Sequence, residues 1–190
     1  MALADARGAV AIREANPATG WQRVAAYVVD YLVIAAYAAF LAGVISAYAA
    51  SSETDFDHKG SPTVGQLVAF VSLTLPVMLY FAVSEASRWR GTPGKRVLKL
   101  RVTAHSDGSR LSFWRTLLRA AIKFAPWELA HTVLWRVEGW PFNAPQPTTV
   151  HWLGFAISML WAGWYVVSLY VGSRRTLYDR VAGSVVVRHT

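Results

Sequence analysis

Gly20-Trp21-Gln22-Arg23-Val24-Ala25-Ala26-Tyr27-Val28-Val29-Asp30-Tyr31-Leu32-Val33-Ile34 opens an apolar run from Val24 to Ala50, and within that run Asp30 is the only charge. The run exceeds the roughly 20 apolar residues with which an α-helix crosses a bilayer. A carboxylate in such a helix costs about 2.5–3.5 kcal/mol at mid-bilayer, so Asp30 is expected to have a partner. Arg23 lies seven residues earlier, two helical turns away on the same face, with Tyr27 between them. An Arg23–Asp30 intramembrane pair is the first expectation.

Working outward, Val64 to Ser84 is a second span, kinked at Pro76 and closed by Glu85 at the cytoplasmic edge. Val150 to Gly172 is a third uncharged run. Between them, Leu111 to Val137 carries Arg115, Arg119 and Lys123 at four-residue spacing, which describes an amphipathic helix with a basic face toward lipid phosphates. Parity decides how this segment is counted. Three spans would export Arg174, Arg175, Arg180 and Arg188, whereas four, the third amphipathic and kinked at Pro126, keep both termini inside. The reading is an all-α membrane protein: a small transmembrane helical bundle of about four spans, with residues 1–19 as a polar tail and 20–190 as one domain.

The composition agrees. Of 190 residues, 54% are hydrophobic and 16% charged, with nine tryptophans and no cysteine. The net charge of +8 does not point to nucleic acid, because the Lys and Arg cluster: three before residue 24, ten from Arg88 to Lys123, four after Gly172. All three clusters suit the cytoplasmic side. The loop from Ser51 to Pro62, with Glu53, Asp55 and Asp57 against Lys59, suits the outside, and so does 138–149, which has no Lys or Arg. Trp21, Trp89, Trp114, Trp140 and Trp152 read as interfacial anchors. In the first helix Ala35, Ala39 and Gly43 form a small-residue stripe able to seat a neighbouring helix.

Leu98 to Ala104 alternates as a strand does, and Gly183 to Arg188 is a second strand-like run; paired, they make a short cytoplasmic β-hairpin-like cap. Gly91-Thr92-Pro93-Gly94-Lys95-Arg96 lacks the spacing of a phosphate loop. As a basic turn it suits an anionic lipid head group, or else is a rigid turn with solvated charges. The head-group or partner candidates are Arg90, Lys95, Arg96, Arg115, Arg119 and Lys123. The five histidines have no ligand spacing, so neither metal nor cofactor is expected. His131, three residues after Glu128, is on nearly the same helix face; the pair could relay protons or bridge helices, which makes Asp30, Glu85, Glu128 and His131 an ion-path candidate. No nucleophile–base pair suggests an enzyme.

These stretches resemble the RDD family of bacterial membrane proteins, named for an arginine and two aspartates. Arg23 to Asp30 is similar to its first helix. Thr92 to Val102, continuing into Ser112 to Arg119, is similar to its central segment. Leu177-Tyr178-Asp179-Arg180-Val181-Ala182-Gly183 is similar to its C-terminal signature, with Tyr178 where histidine is frequent. The resemblance makes Arg23, Asp30 and Asp179 the signature residues, and it implies a transport role, sodium–proton exchange having been attributed to some members. Two readings follow for a multi-pass protein of the bacterial inner membrane. One is a scaffold, assembly or regulatory module with a basic cytoplasmic face for anionic lipids or a partner membrane protein, in which Asp179 docks on Arg23 from below. The other is a secondary transporter or cation/proton exchanger using Arg23–Asp30, which with so few helices would need a homo-oligomer.

Overall fold

The computed structural model describes residues 16–51, 61–140 and 145–189. The expectations for 1–15 and for the acidic loop, including Glu53, Asp55, Asp57, His58 and Lys59, fall outside the described residues. Helix α1 (Gly20–Ser51) is followed by α2 (Pro62–Ala69), a π-helical turn (Phe70–Thr74) and α3 (Leu75–Ala86) in one rod. A short α4 (Pro93–Val97) leads into β1 (Leu100–Ala104). Two further long helices follow, α5 (Phe113–Leu134) and α6 (Thr149–Val167), then α7 (Leu177–Val181) and β2 (Ser184–Arg188). Three of the helical stretches, Gly20–Tyr48, Pro62–Ala86 and Thr149–Val167, are long and apolar enough to cross a membrane.

Helix α5 runs antiparallel to both its neighbours. Along the α2–α3 rod, Thr116 donates to the Ala82 carbonyl (2.9 Å), Thr74 to Glu128 (2.6 Å) and Gln66 to Thr132 (2.6 Å). Along α6, Tyr165 donates to the Ile122 carbonyl (2.8 Å) and Ser158 to that of Pro126. At 22 residues α5 is about 33 Å long, which matches the hydrocarbon thickness.

Both internal prolines are accommodated by the same device. Pro76 has no N–H for the Ser72 carbonyl, and the Tyr37 hydroxyl of α1 donates to it instead (2.6 Å). The π-helical turn just before Pro76 takes up the remaining misfit. Pro126 frees the Ile122 carbonyl, which is the one that receives Tyr165 of α6. In lipid no water can satisfy such a carbonyl, so a neighbouring helix must.

β1 and β2 pair antiparallel from Leu100↔Arg188 to Ala104↔Ser184, with Arg101 opposite Val187, which forms the expected cap. The outer edge of β2 is also occupied. Ala18 donates to Val186 (3.0 Å), Arg188 donates to Asn16 (2.9 Å) and Pro17 bridges Val187. Residues 16–19, read as tail, therefore belong to the cap, because an open strand edge is better paired than exposed. Ala18, Ala26, Leu100, Val102, Leu111 and Val186 form its apolar core, and Val77, Met78, Phe81 and Ala120 form that of the bundle.

Helix α1 engages the chain unevenly. Arg23, Ala26 and Asp30 are buried, whereas Phe40, Val44, Ile45 and Tyr48 are exposed. Ala35, Ala39 and Gly43 are exposed, and among the described residues a side chain at Gly43 would meet nothing within 4 Å.

Candidate functional site

Where the cap meets the bundle, seven charged side chains from five helices converge. Arg23 and Asp30 come from α1, Glu85 from α3, Lys95 from α4, Arg119 and Lys123 from α5, and Asp179 from α7. Arg23, Asp30, Glu85, Lys95, Arg119 and Asp179 are each at most 3% exposed.

Five of them form a linear chain of alternating sign. Arg23 Nη2 lies 2.7 Å from Asp179 Oδ2, and Arg119 Nη2 2.8 Å from Asp179 Oδ1. Arg119 Nη1 then lies 2.5 Å from Glu85 Oε2, and Lys95 Nζ 3.0 Å from Glu85 Oε1. Arg119 thus bridges two acids with a planar fork that no lysine could replace. Asp179 also closes the N-terminus of its own short helix. It accepts from the Thr176 backbone (3.1 Å) and hydroxyl (2.8 Å), while the Thr176 hydroxyl accepts from its N–H. Burial alone pushes the Asp179 carboxyl up, but Arg23 and Arg119 outweigh it and hold it well below the usual carboxylate range. Burial pushes the Tyr178 phenol well up; its hydroxyl shares a 2.6 Å bond with Tyr27.

Arg23 and Asp30 do not pair, which corrects the expectation drawn from their spacing. Seven residues are about 10.5 Å of helix rise, and helical side chains lean toward the N-terminus, so Arg23 reaches away from Asp30 into the cap. There it also donates to the Arg174 carbonyl (2.8 Å). Asp30 instead receives Thr92 Oγ1 (2.6 Å), the Gly94 N–H (2.9 Å) and the Tyr80 hydroxyl (2.9 Å). The turn Thr92-Pro93-Gly94-Lys95 thereby acquires a residue-by-residue reason. Thr92 caps α4 and binds Asp30, and Lys95 reaches Glu85. Gly94 is needed because a Cβ would collide with the Ala26 carbonyl and stand 2.9 Å from Asp30 Cγ.

The head-group candidates divide. Lys95 and Arg119 are buried in the network, and Lys123 Nζ is buried against the Phe81 ring, 3.3 Å from its centroid. The basic face of α5 therefore turns inward, opposite to expectation, and Trp114 and Leu118 take the exposed side. Arg115 is half-buried and donates to the Ala182 and Gly183 carbonyls (3.0 and 2.9 Å). Arg90 donates to the Gly108 carbonyl (2.9 Å), and Arg96 stays exposed, its guanidinium 4.4 Å from the Trp89 centroid.

Glu128 and His131 lie farther along α5, their side chains 23% and 18% exposed and 3.4 Å apart, with Thr74 donating to Glu128. The structure brings Asp30 and Glu85 together near Lys95, but holds Glu128 and His131 apart from them. Thr92, Tyr80 and Thr176 are the contributors that the sequence reading missed. A hydroxyl three residues before the lysine of a Pro-Gly turn, and one three residues before Asp179, were the available signals. Among the described residues no group of three His, Asp or Glu is placed to hold a metal.

No curated protein and no solved structure matches the chain. The family model described as RDD family matches residues 17–183, which include every member of this network, and the chain belongs to the RDD family.

Proposed function

We propose that the protein is a non-transporting module of the bacterial inner membrane, a scaffold or regulator that presents a rigid basic cap to anionic lipids or a partner membrane protein. The carrying observation is saturation: all six oxygens of Asp30, Glu85 and Asp179 accept from protein donors. A carboxylate that couples transport must release its partner to admit an ion. Arginine partners, permanently charged and doubly bonded, do not favour that exchange. In this reading α5 is a fourth crossing, antiparallel to its neighbours, and both termini are cytoplasmic. The cap then meets the inner leaflet, where Arg88, Arg96, Lys99, Arg110, Arg174, Arg180 and Arg188 are exposed; among the described residues none of them forms an ion pair. Arg88 and Arg96 flank the exposed Trp89 ring at 4.7 and 4.4 Å, a pairing of interfacial indole and guanidinium suited to a phosphodiester.

Titrating the detergent-solubilised protein with phosphatidylglycerol tests this. Its unfolding midpoint should rise with that lipid and not with phosphatidylcholine, and the gain should shrink in an Arg88→Gln/Arg96→Gln variant. Equal response to both lipids would refute it. A second reading, sodium–proton exchange by a homo-oligomer, is favoured by the part-exposed Thr74–Glu128–His131 group alone. Gradient-driven sodium flux in proteoliposomes that vanishes in Glu128→Gln would replace the module with the exchanger. A reporter fused after Thr190 and read on the periplasmic side would remove the four-crossing topology.

A further inference from the structure

Lys123 is the one charged residue of the buried cluster that the network does not use. Its Nζ is buried without a hydrogen-bond partner among the described residues. It sits over three aromatic faces, 3.3 Å from the Phe81 centroid, 4.3 Å from Tyr27 and 5.5 Å from Phe124. The two carboxylates that bear on it are engaged by other donors. Glu85 is occupied by Lys95 and Arg119, and Asp30 by Tyr80, Thr92 and Gly94.

Charge balance points the same way. Arg23, Lys95 and Arg119 match Asp30, Glu85 and Asp179 three to three. A charged Lys123 would leave the buried cluster with one positive charge that nothing neutralises. The groups bearing on it are Tyr27 and Asp30 from α1, Glu85 from α3, Lys95 from α4 and Arg119 from its own helix. Helix α6, packed on the other side of α5, has no charged group; its titratable side chains are His151 and Tyr165. The rings would favour a cation, but three π faces do not replace a counter-ion for an ammonium removed from water. A neutral amine needs none, and its N–H groups can rest on the rings.

We propose that Lys123 is a proton-binding site: a neutral amine in the resting fold and the one member of the buried cluster that gains charge when protons are supplied. A proton bound there places an unmatched charge among α1, α3, α4 and α5, so acidification loosens the seat of α4 on α1.

An amine neutral when folded and charged when unfolded makes stability rise with pH, up to the ordinary lysine value near 10.4. The test is the unfolding midpoint in detergent from pH 6 to 10 for wild type, Lys123→Met and Lys123→Arg. The wild-type midpoint should climb relative to Lys123→Met, corresponding to uptake of about one additional proton on unfolding. Lys123→Met should match or exceed wild type at pH 7, and Lys123→Arg, a permanent cation, should fall below it throughout. Parallel pH curves for wild type and Lys123→Met would overturn the proposal. So would a Lys123→Met chain that no longer folds, or a Lys123→Arg chain as stable as wild type.

Discussion

The two ends of helix α5 carry polar groups of similar kind in opposite circumstances. At the cap, Arg119 is 1% exposed and lies between two acids that are themselves fully buried and multiply bonded. About two and a half turns on, Glu128 is part-exposed and has one threonine and one distant imidazole. The difference teaches where this chain tolerates change. A buried charge that loses its partner is left in low dielectric with nothing to replace it, whereas a part-exposed one can turn to the surroundings.

The sharpest way to break the contrast is Arg119→Met. It takes one of two cations from each of Glu85 and Asp179, leaving them Lys95 and Arg23, and breaking one buried pair alone costs about 3–5 kcal/mol, so the unfolding midpoint in detergent should collapse or the chain fail to accumulate. Gly94→Ala comes next. The added methyl meets backbone of α1 that cannot step aside, and overpacking of this kind costs about 1–3 kcal/mol, read as a lowered midpoint. Tyr165→Phe should cost about 1–3 kcal/mol by leaving the Ile122 carbonyl unsatisfied; a midpoint equal to wild type would remove the proline-rescue account. At the far end Glu128→Gln should move the midpoint by less than about 1 kcal/mol, in keeping with a part-exposed pair.

Acid separates the ends as well. The Asp179 carboxyl is depressed, so its contribution is fully present above the unfolded value near 3.9 and is lost as pH falls through the lower folded value. Wild-type stability should therefore decline with acid below about pH 4 through this group, and that component should be missing in Asp179→Asn.

The helices were legible because apolar runs of bilayer length have few alternatives, and the cap strands because period-two alternation resumes beside glycine turns. The network was legible as membership and, of its pairings, only in Asp179 docking on Arg23, which the family signature suggested. Arg23, Asp30, Glu85 and Asp179 each stand out as charges at apolar boundaries, yet helical spacing offered Arg23 a same-face partner and gave no account of a residue 156 positions away. The inward face of α5 was misread for a related reason. A basic stripe at four-residue spacing looks the same whether lipid phosphates or buried carboxylates await it, and only the tertiary placement of Glu85 and Asp179 decides. Residues 16–19 lacked a strand pattern, and nothing local shows that β2 has a vacant edge.

The ion chain closes only when the two extremes of the sequence meet, since Arg23 lies in the first turn of the first long helix and Asp179 follows the last. During synthesis, the guanidinium of Arg23 must wait for a carboxylate that emerges after the last long helix, and Arg119 has Glu85 alone until then. Asp179 is therefore the last charge to join the network. A chain halted after α6 has all its long helices, yet Arg23 has lost its carboxylate and Arg119 keeps Glu85 alone, which leaves the heart of the bundle one positive charge in excess.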